Sequence, residues 1–170
     1  MSQTKEAVQP RLHPDKDVVA CIRTRQLDAP ALRQTLAYHG AADDWESVYA
    51  IADALGLELS LLFDADDRVW VDIGTPGQVR LSTPAGARIP FRLWVHTHPR
   101  DAYWSATDRR ALRFAMPVLE RALVLGKGHY KQAHRLMTPD AQPRLSRVGP
   151  LSHWTDEALQ NYPVRVGGEA

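Results

Sequence analysis

The sequence predicts an α/β (α+β) fold, a β-sheet flanked by helices, and three observations carry that reading. Two stretches before residue 56 repeat apolar residues at helical spacing. From residue 57 onward, short apolar or alternating runs are separated by turn residues, as strands are. A further helical stripe then interrupts those runs, so helices and strands are interleaved rather than segregated.

The chain has 170 residues, 44% hydrophobic and 24% charged, which is ordinary for one globular domain with a sizeable core. The net charge of +1 gives no bulk electrostatic case for nucleic acid or for a membrane surface. A lone cysteine, Cys21, excludes an internal disulfide and a cysteine-rich metal site. It sits in Val18-Val19-Ala20-Cys21-Ile22 and reads as a small buried hydrophobe. No apolar run reaches membrane-spanning length and no signal peptide is seen, so the expected location is cytoplasmic.

Residues 1–16 are polar and carry Pro10 and Pro14, and are expected to be flexible. Residues 17–25 are expected to form a short strand. Pro30 to His39 reads as a helix, with Leu32 and Leu36 at i and i+4, Asp28 as a candidate cap and Gly40 as the stop. His39 beside that stop reads as a C-terminal helix charge. Asp43 to Leu55 is a second helix, striped by Trp45, Val48, Tyr49, Ala52 and Leu55 and ended by Gly56.

Leu57 to Phe63 is a strand and residues 64–67 a turn. Val69, Val71 and Ile73 share one face of the next strand. Residues 78–82 are a further short strand. Residues 89–98 form the strand that ends in His96-Thr97-His98-Pro99. The helix opened near Asp108 is halted by Pro117. Residues 121–125 and 129–137 form a hairpin around Gly126-Lys127-Gly128. The remainder is loop, with a short helix expected near residues 155–160.

The chemistry concentrates between residues 91 and 108. Side chains alternate along a strand, so His96 and His98 project to the same side, and Pro99 ends the ladder there. Asp108 follows on a helix, in line with Leu112, Ala115 and Leu119 on the apolar stripe. Two imidazoles and a carboxylate are a donor set typical of catalytic zinc, with a fourth position left for water. Taken singly, each residue has a plainer explanation. Two histidines can decorate any half-buried strand, and Ser105-x-x-Asp108 is also a capping box. A pure cap, however, has no need to face the core.

His96-Thr97-His98-Pro99 followed by Ser105-x-x-Asp108 resembles the motif of the JAMM (MPN+) zinc metalloproteases, including their prokaryotic deubiquitinase-like isopeptidases. Six residues lie between His98 and Ser105, one fewer than the usual spacing. The resemblance implies a curved mixed sheet flanked by helices, with the metalloprotease-like domain at residues 17–140 and a loop-rich tail at 141–170. It implies a Zn²⁺ held by His96, His98 and Asp108, with Ser105 as oxyanion stabiliser. It also implies an upstream glutamate at the start of the strand after the first long helix. Glu58 stands in that place and is preferred as general base over Glu46, whose position suits an N-terminal helix charge. Tyr103 and Trp104, expected to be exposed on the loop between the ligands, are candidate substrate contacts or loop packing. The implied activity is hydrolysis of the bond after the C-terminal glycine of a ubiquitin-like (β-grasp) modifier. A non-catalytic MPN-like scaffold and a related zinc hydrolase of another small substrate are the alternatives.

Overall fold

The computed structural model of the chain describes residues 6–77, 81, 83–136 and 153–164. Among these, four helices and six strands form a mixed α/β fold whose sheet is open. The helices are α1 (Asp15–Arg23), α2 (Pro30–Ala41), α3 (Trp45–Leu55) and α4 (Ala106–Ala115). The strands are β1 (Leu59–Phe63), β2 (Val69–Ile73), β3 (Leu93–Thr97), β4 (Arg121–Leu125), β5 (His129–His134) and β6 (Gln160–Asn161). The sheet order is β2-β1-β3-β4-β5-β6. All neighbours run antiparallel except β3 and β4, which are parallel and joined across α4. No helix among the described residues is long and apolar enough to cross a membrane.

The alternation along each strand sorts side chains into two cores. Leu59, Leu61, Phe63, Leu93, Val95, Leu123 and Leu125 pack against α1, α2 and α3. Leu62, Trp94, Ala122 and Val124 face the opposite way, against Leu112 and Ala115 of α4. His96 and His98 therefore belong to the α4 side, two and four residues beyond Trp94.

Several local expectations are corrected. Residues 15–23 form α1 rather than a strand. The β-branched residues favour a strand locally, but Val18 and Cys21 are spaced to bury together on a helix. Asp15 and Asp17 in its first turn also suit the dipole. The N-terminal segment is attached well before residue 17. Val8 pairs with Val69, and the His13 N–H donates to Thr35 Oγ1 at 3.2 Å. Asp28 does not cap α2. The cap position is Ala29, without a side-chain bond, and Asp28 instead lies 3.7 Å from Arg33.

Gly40 is inside α2 rather than its stop, because the helix presses on the sheet there. A Cβ at Gly40 would lie 2.5 Å from Leu61 Cδ1. His39 is more than a terminal helix charge: its Nδ1 lies 2.9 Å from Asp44 Oδ2, and Asp44 caps α3. Gly56 does end α3, with φ at 66°. Residues 155–159 are not helical. Trp154 bridges to Arg135, and β6 adds to the sheet edge, because Trp154 and Tyr162 bury their rings against the domain. The expected strand at 78–82, apart from Leu81, and the tail residues 137–152 and 165–170 lie outside the described residues.

Candidate metal centre

His96 is fixed by the sheet. Its Cα partners are Ser60 on β1 and Val124 on β4, and its ring stacks on Trp94 with centroids 4.3 Å apart. His98 lies one residue past the end of β3, where its N–H still donates to the Leu125 carbonyl at 2.9 Å. The two imidazole centroids are 5.1 Å apart. Asp108 comes from the other layer. It sits on the buried stripe of α4 with Leu112 and Ala115, as its spacing required.

The three side chains converge. His96 Nε2 lies 3.0 Å from Asp108 Oδ1, and His98 Nε2 lies 3.0 Å from Asp108 Oδ2. One donor atom from each residue can be chosen so that all lie within 4.8 Å of one another. Ligand atoms about 2 Å from a tetrahedral ion are separated by roughly 3.3 Å, so the three donors would draw together to share one ion. His96 Nε2 is buried and makes no hydrogen bond despite the carboxylate at 3.0 Å. A nitrogen and an oxygen that are close but not aligned on each other suit lone pairs aimed at a shared third point. The residues present therefore fit a divalent metal ion.

The electrostatics agree. Burial holds His96 below its ordinary imidazole pKa, although Asp108 pulls the other way, a shift toward the neutral ring that metal ligation requires. Burial alone would raise the Asp108 pKa. The imidazoles of His96 and His98 and the Ser105 N–H outweigh burial and hold it well below the carboxylate range. The acid is thus ionised, as a metal ligand must be.

The capping reading of Ser105 holds. Its hydroxyl oxygen accepts from the Asp108 N–H at 3.1 Å, and its own N–H donates to Asp108 Oδ2 at 2.9 Å. The capping box consequently orients the carboxylate, while the Ser105 N–H is committed and only the hydroxyl proton remains to serve the cleft.

That cleft is a polar cavity of about 310 Å³ lined by Glu58, Gly77, His98, Tyr103, Ser105, Thr107 and Asp108. Glu58 reaches it by register. Ser60 pairs with His96 across β1 and β3, and Glu58, two residues before Ser60 and so on the same strand face, lines the cavity together with His98. The Glu58 backbone is fixed there by Thr75 and Gly74, at 3.0 and 2.8 Å, and its side chain is buried rather than solvated. Glu46 is exposed in the first turn of α3 and does not line the cleft.

Tyr103 is 55% exposed and meets the His98 ring edge-on at 4.8 Å. Trp104 departs from expectation. It is buried with Leu112 and Trp94, 6.0 Å from the His96 ring, because an indole beside the sheet contributes most by filling the core. It packs the loop and backs the cluster.

Sequence reasoning missed Thr107 and Gly77 in the cleft wall, the Trp94 platform under His96, and the His129 ring. Trp94 was findable, since it lies two residues before His96 on one strand face. His129, whose Nε2 accepts from the Ala102 N–H at 3.1 Å, gave no local signal. Comparison of the chain with protein-family models, with curated proteins and with solved structures finds no match.

Proposed function

We propose that the protein is a zinc-dependent peptidase or isopeptidase of the JAMM type. The observation that carries this reading is a buried His96–His98–Asp108 group able to hold a metal ion, two of whose members, His98 and Asp108, line one cleft with the buried Glu58. A scaffold that only mediates assembly has no use for an acid placed beside such a cluster.

A zinc ion held by the three side chains would polarise a carbonyl and lower the pKa of a water in its open position. The chain supplies the rest. Glu58 takes a proton as the water oxygen attacks the carbonyl carbon of a glycyl–lysine isopeptide or a peptide bond. It returns that proton to the amine nitrogen as the C–N bond breaks. The Ser105 hydroxyl donates to the oxygen on which negative charge develops. Tyr103, at the mouth of the cleft, provides an exposed ring against which an extended C-terminal tail can lie. The substrate in this reading is a ubiquitin-like modifier or its conjugate.

The test pairs two isosteric variants. Glu58→Gln is expected to keep zinc binding and lose turnover of a β-grasp conjugate, while Glu46→Gln stays active. An inactive Glu46→Gln with an active Glu58→Gln would show the proton carrier to be misassigned. No zinc bound by the wild-type chain would remove the whole reading.

A further inference from the structure

A second cavity opens on the α3 side of His98. It measures about 210 Å³, and His98 is the residue whose side it shares with the cleft. The rest of its lining is mainly apolar: Tyr49, Ala52, Leu57, Pro76 and Pro99, with one acid, Asp53. An engineered apolar cavity of about 150 Å³ holds benzene, so this space admits a full side chain. It is also held open. The Tyr49 hydroxyl donates to the Pro99 carbonyl at 2.9 Å, tying α3 to the segment that follows β3. Gly56, at the end of α3, adds no side chain to fill the space.

The acid selects the occupant. Asp53 is exposed at the rim, and among the described residues no hydrogen bond or ion pair engages its carboxylate. The negative charge of Asp53 and of Asp101 is felt at the Tyr49 phenol, whose pKa stands above its ordinary value mainly through burial. An apolar trough ending in an exposed carboxylate matches a long side chain with an aliphatic stem and a cationic head. A purely aliphatic side chain would use the walls and leave the carboxylate unused. An acidic one would be repelled.

We infer that this cavity is a subsite for a lysine or arginine side chain of the polypeptide engaged at the neighbouring cleft, its stem lying on Ala52, Leu57, Pro76 and Pro99 and its head against Asp53. The inference rests on the reading of the cleft as a peptide-processing site. It adds a requirement on sequence: a basic residue flanks the bond presented to His98. The exposed carboxylate contributes what an exposed ion pair does, a selectivity of about two- to fivefold.

The test needs no turnover. The full chain, ¹⁵N-labelled and stripped of metal with a chelator, is titrated with N-acetyl-argininamide, N-acetyl-lysinamide and N-acetyl-leucinamide. The two basic compounds are expected to shift the amide signals of Ala52, Asp53 and Leu57, and to bind about two- to fivefold more tightly than the leucine compound. Asp53→Asn, a change at an exposed position, should erase that preference while leaving the leucine affinity unchanged. Equal or tighter binding of the leucine compound overturns the inference, as does a preference that survives Asp53→Asn or signals that move elsewhere. Because the protein is metal-free in this titration, a failure to bind zinc would sink the hydrolase reading and leave the subsite result legible. Normal zinc binding with no basic preference sinks the subsite alone.

Discussion

At the scale of single residues, the metal cluster and Asp64 make the sharpest claims. In the proposed metal site His98 supplies one of three donors from just beyond the end of β3, so His98→Ala should lose zinc while keeping the fold. The drop in affinity should exceed the roughly 10- to 100-fold that follows loss of an outer-shell partner; calorimetric titration with zinc checks it, and near-normal affinity would remove His98 from the ligand set. Asp64 has the opposite character, a fully buried acid with a structural task. Its Oδ1 accepts from the Asp66 and Arg68 N–H groups at 2.9 and 3.0 Å, and its Oδ2 from the Arg88 N–H and Arg68 Nε at 3.0 Å each. Burial would raise its pKa, yet the N–H groups of Arg88, Arg68 and Asp66 hold it below the ordinary value. A folded-state pKa below the unfolded one adds stability that is complete above about pH 4 and disappears as pH falls through the folded value. Asp64→Ala should cost about 3–5 kcal/mol by leaving those donors and the guanidinium without their acceptor, and it should flatten the acid limb of a urea-denaturation series across pH.

At the scale of elements, the loop between the ligands is the informative case. Gly126, in the β4–β5 turn, has the Ala102 nitrogen and the Arg100 carbonyl where a Cβ would stand, 2.5 and 2.8 Å away. The Lys127 N–H donates to that Arg100 carbonyl at 2.7 Å, and His129 accepts from Ala102. Gly126→Ala would press on backbone, which cannot swing aside, so it should destabilise by about 1–3 kcal/mol. It should also shift the loop that carries Tyr103 and Ser105, read as weakened zinc affinity; an unchanged melting curve and affinity would show that the loop gives way freely. The same elements show what the sequence could tell. α3, β1, β2, β3 and the β4–β5 hairpin were legible because one periodicity dominates each, and because Gly56 and the 126–128 turn punctuate them. α1 was misread because Val18, Val19 and Ile22 favour strand locally while the burial of Val18 and Cys21 is a tertiary matter. The grouping of His96, His98 and Asp108 was legible from their spacing. The place of Glu58 opposite His98 depended on β1 pairing with β3, and the burial of Trp104 on what fills the space under α4; neither is a local property of the chain.

At the scale of the whole molecule, the cluster joins two layers, with His96 and His98 from the sheet and Asp108 from the helix that covers it. Anything that binds the folded chain and not the unfolded one stabilises it by mass action. Zinc at a hundred times its dissociation constant should therefore add about 2.7 kcal/mol. The melting temperature should rise on adding zinc, fall back with chelator, and stay unmoved by zinc in His98→Ala. A wild-type melting temperature indifferent to zinc would argue that the three donors do not act together.

The anchoring of Arg100 and Ala102 has a consequence for how this segment can vary. With its first half stapled to the β4–β5 hairpin, Trp104 buried and Ser105 set by the cap of α4, only the exposed position Tyr103 is left to take up a change in length. A residue inserted there would have to bow outward over the entrance, altering the aperture while leaving the donors in place. The width of that doorway and the placement of His96, His98 and Asp108 thus answer to different contacts.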